Sequence, residues 1–356
     1  MKSILLGISF CVSFSLLSAQ TDGAMKQTRQ DSFLSQNDRN LEQWLKENKI
    51  PTLGLGIIKN GKVEKAKVYG DYQNGKFSPD NMRFNVASLT KPVTAMIALK
   101  LASEGKWDID EPLYKYWTDP DIANDPRNKM LTTRLIVSHQ TGFPNWRALN
   151  PNGKLGFQFD PGTKYQYSGE GFEYLRKALE NKFHKPLSQL GQELIFKPLR
   201  MKDTSYIWDE TTDASRIAIG YDKDGKAYEP VKRGTANGAD DLMTTVSDYS
   251  HFLISVMNGE GLSKKIFSEM QTGQIATEKG KHFGLGFELY DLGNDTTALS
   301  HGGSDEGVRT LFVIIPKTKE GIVIFTNSDE GTKVYKKLLT DFMGNYGKKI
   351  VEIEMK

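Results

Sequence analysis

Residues 84–107 read FNVASLTKPVTAMIALKLASEGKW. The nearly unbroken apolar run from Val93 to Ala102 is too short to cross a bilayer and too uniformly apolar for a surface helix, so it predicts a helix buried inside a domain. Ser88, Leu89, Thr90 and Lys91 open this stretch, Pro92 suits a first turn that can do without its N–H, and Gly105 is the stop signal. A Ser and a Lys three residues apart at a helix start share one face, about a turn apart.

That pairing has a chemical meaning. A serine hydroxyl attacks a carbonyl once a base takes its proton, and a lysine amine is a base near pH 7 only when neutral. Burial and the positive end of the helix dipole both disfavour the ammonium form of Lys91. Unpaired N–H groups at the same helix end would face a developing oxyanion beside Ser88. Serine is also a preferred helix N-cap, so the spacing by itself leaves both readings of Ser88 open. Ser103 and Lys106 repeat the spacing at the helix end, where a solvated serine is expected.

Outward from this helix, TLGLGIIKNGKVEKAKVYG predicts a hairpin, because Asn60 and Gly61 both tolerate positive φ. From about residue 110 to 275, helical patterns dominate: 131–138, 172–178, 187–195 and 246–257, separated by the turn-rich pieces SHQTGFPNW and FDPGTKYQYSGEGF. FGLGFELY, TALSH, VRTLFVIIP and GIVIFTN then read as strands, and 332–346 as a closing helix with Val334, Leu338 and Phe342 on one face. Strands at both ends with helices between predict an α/β (α+β) fold: an antiparallel sheet built from both chain ends, flanked by helices, with an inserted mainly helical region. A ligand cleft would lie at the junction.

The 356 residues, 38% hydrophobic and 26% charged with a net charge of +3, give no reason to invoke nucleic acid or an anionic membrane. Residues 1–19 have the pattern of a secretory signal peptide: Lys2, an apolar core from Ile4 to Leu17, then Ser18 and Ala19. The sole cysteine, Cys11, lies within it, so the mature protein would carry no thiol, disulfide or thiolate metal site. No later apolar run reaches the roughly 18 residues of a membrane span, and a periplasmic or secreted protein is expected.

The segments ASLTKPVTAMIALKLASEGKWDIDEPL, LTTRLIVSHQTGFP, FDPGTKYQYSG, IFKPLRMKDTSY, GADDLMTTVSDYSHF, FGLGF and ALSHGGSDEG resemble, in order, those of the serine β-lactamase-like hydrolases. That group holds class C β-lactamases, penicillin-binding DD-peptidases, D-amino-acid peptidases and esterases. The resemblance covers roughly 37–345. With residues 1–19 read as a signal peptide and the polar, Gln/Asp/Arg-rich residues 20–37 as a flexible leader, it implies one β-lactamase-like domain (38–356). The α/β part would occupy about 38–105 and 280–350, and the helical part about 106–279.

Carried over residue by residue, the resemblance makes Ser88 the nucleophile, Lys91 its paired base and Tyr167 the phenol that exchanges protons with nucleophile and leaving group, with Tyr165 as the alternative register. A phenol titrates near pH 10, so it would need a cation such as Lys91 beside it to act as a base. His301, Gly302 and Gly303 match the third motif, and the N–H of Ser304 would join that of Ser88 as an oxyanion hole. The family's second motif is usually Tyr-x-Asn, whereas Gly169 stands here in place of the Asn that contacts the substrate's acylamide. With His301 in place of a lysine, this favours a peptidase or esterase of penicillin-binding type over a true class C-like β-lactamase.

A reading from another class is a cell-wall-related binding protein that keeps the fold without catalysis. Arg309 reads either as an anchor for a substrate carboxylate or as a solvated strand residue. His139, His184, His251 and His282 read as structural, and the absence of HExxH, GxSxG and Cys/His clusters argues against zinc hydrolysis and the α/β-hydrolase elbow. The expected partner is a small-molecule or peptide substrate, with no metal or organic cofactor and no nucleic acid; oligomeric state is not readable from the sequence.

Overall fold

The structure, a computed structural model, describes residues 36–72 and 76–356. The expected signal peptide, Cys11 and the leader as far as residue 35 lie outside them. The chain divides into two compact units, Met1–Glu47 and Asn48–Lys356. The described part of the first is helix α1 (Gln36–Glu47), which carries Leu41, Trp44 and Leu45.

In the second unit β1 (Thr52–Lys59) and β2 (Lys62–Tyr72) form the expected hairpin, with Asn60 at φ 51° and Gly61 at φ 69°. The strands β3 (Lys76–Phe77), β4 (Phe84–Asn85), β5 (Met243–Thr244) and β6 (Ile275–Ala276) are two-residue pieces, as is β7 (His282–Phe283). The longer β8 (Glu288–Asp291), β9 (Thr297–Asp305), β10 (Val308–Ile315) and β11 (Glu320–Thr326) complete the set. Among the described residues nine strands form one antiparallel sheet in the order β3-β2-β1-β11-β10-β9-β8-β7-β6, while β4 and β5 pair separately. The two ends of the chain meet at the β1–β11 seam, where Gly54 lies opposite Phe325 and Gly56 opposite Val323.

Helix α2 (Thr90–Ser103) is buried at every position from Thr90 to Leu101, as the apolar run requires. The inserted region supplies α3 (Thr133–Val137), α4 (Gly169–Phe183), α5 (Leu187–Gly191), α6 (Val246–Asn258) and α7 (Lys264–Met270), with short 3-10 turns between. α6 lies against β1, β2 and β11, and α2 packs against α4 and α5. The turn that carries Ser88, Ala87–Leu89, meets β9 and β10, while the helix that follows it packs into the helical region.

Three details differ from the sequence reading. The sheet extends back to Ile275, before the expected boundary at about 280, because β6 pairs with β7. The segment FGLGFELY is two strands interrupted at Gly284–Phe287, not one. The closing helix α8 (Lys333–Glu354) continues past residue 346 but breaks at Gly344, where φ is 55° and ψ −126°. Before the break Val334 and Leu338 are buried as expected and Phe342 is half-buried; beyond it Gly347 and Ile350 are buried. Among the described residues no helix is long and apolar enough to cross a membrane.

Candidate active site

Ser88 sits in the middle of a 3-10 turn, Ala87–Leu89, that runs directly into α2. The turn is held from several sides. Ala87 takes φ 47°, a left-handed conformation that costs a residue with a Cβ about 1–2 kcal/mol. Asn85 stabilises it: its Oδ1 accepts from the Ala87 N–H at 2.8 Å while its Nδ2 donates to Asp241 at 3.1 Å. The Thr90 hydroxyl donates to the Ala87 carbonyl at 2.7 Å, and that of Tyr249 to the Leu89 carbonyl at 2.8 Å.

The Ser88 hydroxyl does not cap the helix. It accepts from Lys91 Nζ at 2.8 Å, and the same amine donates to the Ala239 carbonyl at 2.9 Å. Ser103 and Lys106 show the contrast: the Ser103 hydroxyl donates to its own helix at Leu99, 2.9 Å away, and Lys106 pairs with Glu104 at 2.7 Å. The Ser88 N–H has no partner among the described groups.

Lys91 is 0% exposed. Burial pushes its pKa down, opposed by the charges of Asp240, Asp305 and Glu173. Tyr167 is placed with this pair. The Lys91 amine lies 4.7 Å from the centre of its ring, and Tyr167 lines the same cleft as Ser88. Burial raises the phenol's pKa, a Ser88 bond lowering it only in part. Desolvation therefore favours the protonated phenol at Tyr167.

Tyr167 is held by its neighbours. Ser168 caps α4 through its hydroxyl, which accepts from the Gly171 N–H at 3.1 Å. The Ser168 N–H donates to His139 Nδ1 at 3.1 Å, and the His139 ring lies 4.3 Å from that of Tyr167. His139 is thus buried structure beneath the phenol, as the sequence reading expected. Tyr165, the alternative register, instead packs edge-on to His139 at 6.0 Å and lines the cleft. His184 ends α4 in a left-handed conformation, and His251 and His282 are exposed.

The third motif lies on β9, opposite Ser88 across a cleft of about 480 Å³ that His301, Gly302, Gly303 and Ser304 all line. A Cβ on Gly303 would sit 2.3 Å from Thr310 Oγ1 and 2.6 Å from the Val86 carbonyl, so only glycine lets β9 approach the Ser88 turn. His301 is 4% exposed, and burial followed by the Lys91 charge brings its pKa down to about 3.

Three features were not found from the sequence. Asn145, in the loop after α3, lines the cleft, and its Oδ1 accepts from the Gly169 N–H at 2.9 Å. Its neighbour Trp146 fills the space at position 169, where a Cβ would come within 2.6 Å of the indole. Asp240, Asp241 and Asp305 bring carboxylate oxygens within 4.8 Å of one another close to Lys91. Arg233 pairs with Asp241, and burial and mutual repulsion raise the pKa of both Asp240 and Asp305, so proton and guanidinium offset this charge from within. Asp240 and Asp241 stand in the quoted GADDL segment, but nothing local in it shows that Asp305 would join them.

A family model described as Beta-lactamase matches residues 37–340. Protein flp of Staphylococcus aureus (strain N315) is 25% identical over 316 residues, covering 82% of this chain and 62% of its own length. The chain therefore spans less than two thirds of that relative. Among solved structures, the octameric penicillin-binding protein homologue from Pyrococcus abyssi superposes with a TM-score of 0.74 at 22% identity, over 86% of this chain and 76% of that one. The D-alanine carboxypeptidase AmpC from Burkholderia cenocepacia gives 0.71 at 22% identity, over 85% and 97%. Both share the antiparallel sheet and helices of this fold.

Proposed function

Because the chain belongs to the Beta-lactamase family, we propose that it is a secreted serine hydrolase that opens an ester or amide through an acyl-enzyme on Ser88. The observation that carries the reading is the 2.8 Å hydrogen bond from a fully buried Lys91 amine to the Ser88 hydroxyl. Lys91 takes the Ser88 proton as Oγ bonds to the carbonyl carbon, and the N–H groups of Ser88 and Ser304 hold the oxyanion. Collapse breaks the carbonyl bond to the leaving oxygen or nitrogen. Tyr167, protonated because it is buried, gives its proton to the leaving group and regains one from Lys91. Water then attacks the acyl carbon, its proton returns through the same groups, and Ser88 is released.

Within the class the reading favours a penicillin-binding-type peptidase acting on D-amino-acid peptides, or an esterase, over a true β-lactamase. Support comes from Trp146, which occupies the space an Asn at 169 would need, and from a neutral His301 on β9. A purely binding role is disfavoured by the spacing of Ser88, Lys91 and Tyr167, which serves proton transfer and has no evident use in binding. Export rests on residues 1–19 alone, and the mass of the mature chain recovered from the cell envelope tests it.

The deciding experiment is turnover of nitrophenyl butyrate by wild type and Ser88→Ala. The variant should lose about 10⁴-fold or more in kcat. Wild-type rate in the variant would refute the proposal.

A further inference from the structure

Successive residues of a strand point to opposite faces, and on β9 His301 and Gly303 are buried toward the Ser88 turn while Gly302 and Ser304 are exposed. The close approach of β9 to that turn accounts for Gly303. It does not account for Gly302. A Cβ there would meet nothing nearer than the Thr310 carbonyl at 3.8 Å, and the backbone is not left-handed. Neither packing nor conformation demands a glycine at this position.

What a side chain at 302 would occupy is the join between two cavities. The Ser88 cleft and a second cavity of about 410 Å³ share Glu288, Gly302, Thr332 and Tyr335. The second cavity lies between the sheet and α8, with Leu311 and Val313 of β10 on one side and Leu339, Ile350 and Val351 of α8 on the other. Leu311 is paired with Gly302 across the ladder and is half-buried. The charges around this space are matched. Lys281 lies 2.6 Å from Glu354 and 2.7 Å from Glu288, and Lys279 lies 3.4 Å from Glu354. At the cleft end Arg309 donates through Nη1 to the Asp305 and Val308 carbonyls and lies 3.2 Å from Asp329 through Nη2, so it is neither a free anchor nor merely solvated. Lys336, the remaining cation on the wall, is exposed.

The proton path says which part of a substrate meets the join. Tyr167 protonates the leaving group, and its ring centre lies 6.0 Å from that of His301, the residue before Gly302. A group departing beside Tyr167 is therefore next to the opening.

We infer that Gly302 opens a passage from the Ser88 cleft into the cavity beneath α8, and that this cavity takes an uncharged apolar chain carried on the leaving group. This rests on Ser88 being the nucleophile and narrows the substrate class to esters, thioesters or amides of an apolar alcohol, thiol or amine. Each methylene withdrawn from water strengthens binding by up to about fourfold, and the cavity is large enough to hold several.

The test compares S-hexyl and S-ethyl thioacetate, which share an acetyl group and differ in the leaving chain. In both, Ser88 Oγ bonds to the acetyl carbon, the C–S bond breaks and the thiol departs with the Tyr167 proton; water then frees acetate. Thiol release should favour the hexyl ester by about tenfold or more in kcat/KM. Val351→Trp fills the cavity from a half-buried position on α8, and Gly302→Leu closes its mouth. Each should bring the hexyl-to-ethyl ratio to about two or less, and either variant that melts like the wild type suffices.

A neutral fluorophosphonate separates the two levels of failure. Labelling of Ser88 together with equal rates on the two esters, a preference for the ethyl ester, no turnover of either, or a hexyl preference undiminished in a folded variant overturns the substrate inference alone. Absence of labelling at Ser88 overturns the hydrolase reading and the inference with it.

Discussion

Lys91 has no exposed surface, and that fact sets the pH dependence of the chemistry. Its pKa is brought down from the usual lysine range to about 8, with burial the largest cause. A base works only in its neutral form, so Ser88 acylation should rise roughly tenfold per pH unit below 8 and level off above it. Lys91→Arg keeps the charge but cannot lose its proton, and acylation should fall about 10²–10⁴-fold without recovering at high pH. Single-turnover nitrophenolate release from pH 6 to 10 reads both outcomes. Gly169 gives a second prediction at this scale. Gly169→Asn would drive a Cβ to within 2.6 Å of Trp146, so it should cost about 1–3 kcal/mol by thermal unfolding, and Trp146→Ala in the same chain should return part of that loss. The departure at 169 was visible in the sequence. Its counterpart was not, because Asn145 and Trp146 lie more than twenty residues away and meet Gly169 only once α4 and the preceding loop have packed.

At the scale of the element, the Ser88 turn is a junction of α2, β9, β10 and α6 rather than a free loop. Gly303→Ala should lower stability by about 1–3 kcal/mol and reduce kcat, since its Cβ overlaps Thr310 and the Val86 carbonyl that precedes Ser88. Thermal melts and single-turnover rates together check it. Tyr249→Phe removes the second donor to the Leu89 carbonyl, which keeps its bond within α2, at a cost of about 0.5–1.5 kcal/mol in chemical denaturation. Elements with strong local signals were legible beforehand. The Asn60–Gly61 hairpin follows from turn chemistry, and α2 follows from a run that admits no exposed face. The end of α8 was not legible, because Gly344 and Gly347 act through a break in the helix: a Cβ on Gly347 would meet the Leu339 carbonyl at 1.9 Å. A repeat read over 332–346 gives no sign of the buried Gly347 and Ile350 that follow the break.

At the scale of the whole molecule, the sheet closes only when β1 pairs with β11, so the strands that carry His301 and those of the first hairpin form one body. Strands at both ends of the sequence with helices between them were enough to read this arrangement. The carboxylates near Lys91 were not readable, since Asp240 and Asp305 come from an insertion loop and a sheet strand and meet only in the folded chain. Ser88→Ala should melt within about 1 kcal/mol of wild type, because the Lys91 amine keeps its bond to Ala239. Loss of activity in that variant can then be assigned to chemistry rather than folding. The most direct test of the hydrolase assignment is acid-quenched mass mapping of the wild type and Ser88→Ala after a few milliseconds with nitrophenyl butyrate. A butyryl group on the Ser88 peptide of the wild type, and on no peptide of the variant, is the predicted result; turnover with no acyl group on Ser88, or with one elsewhere, would contradict it.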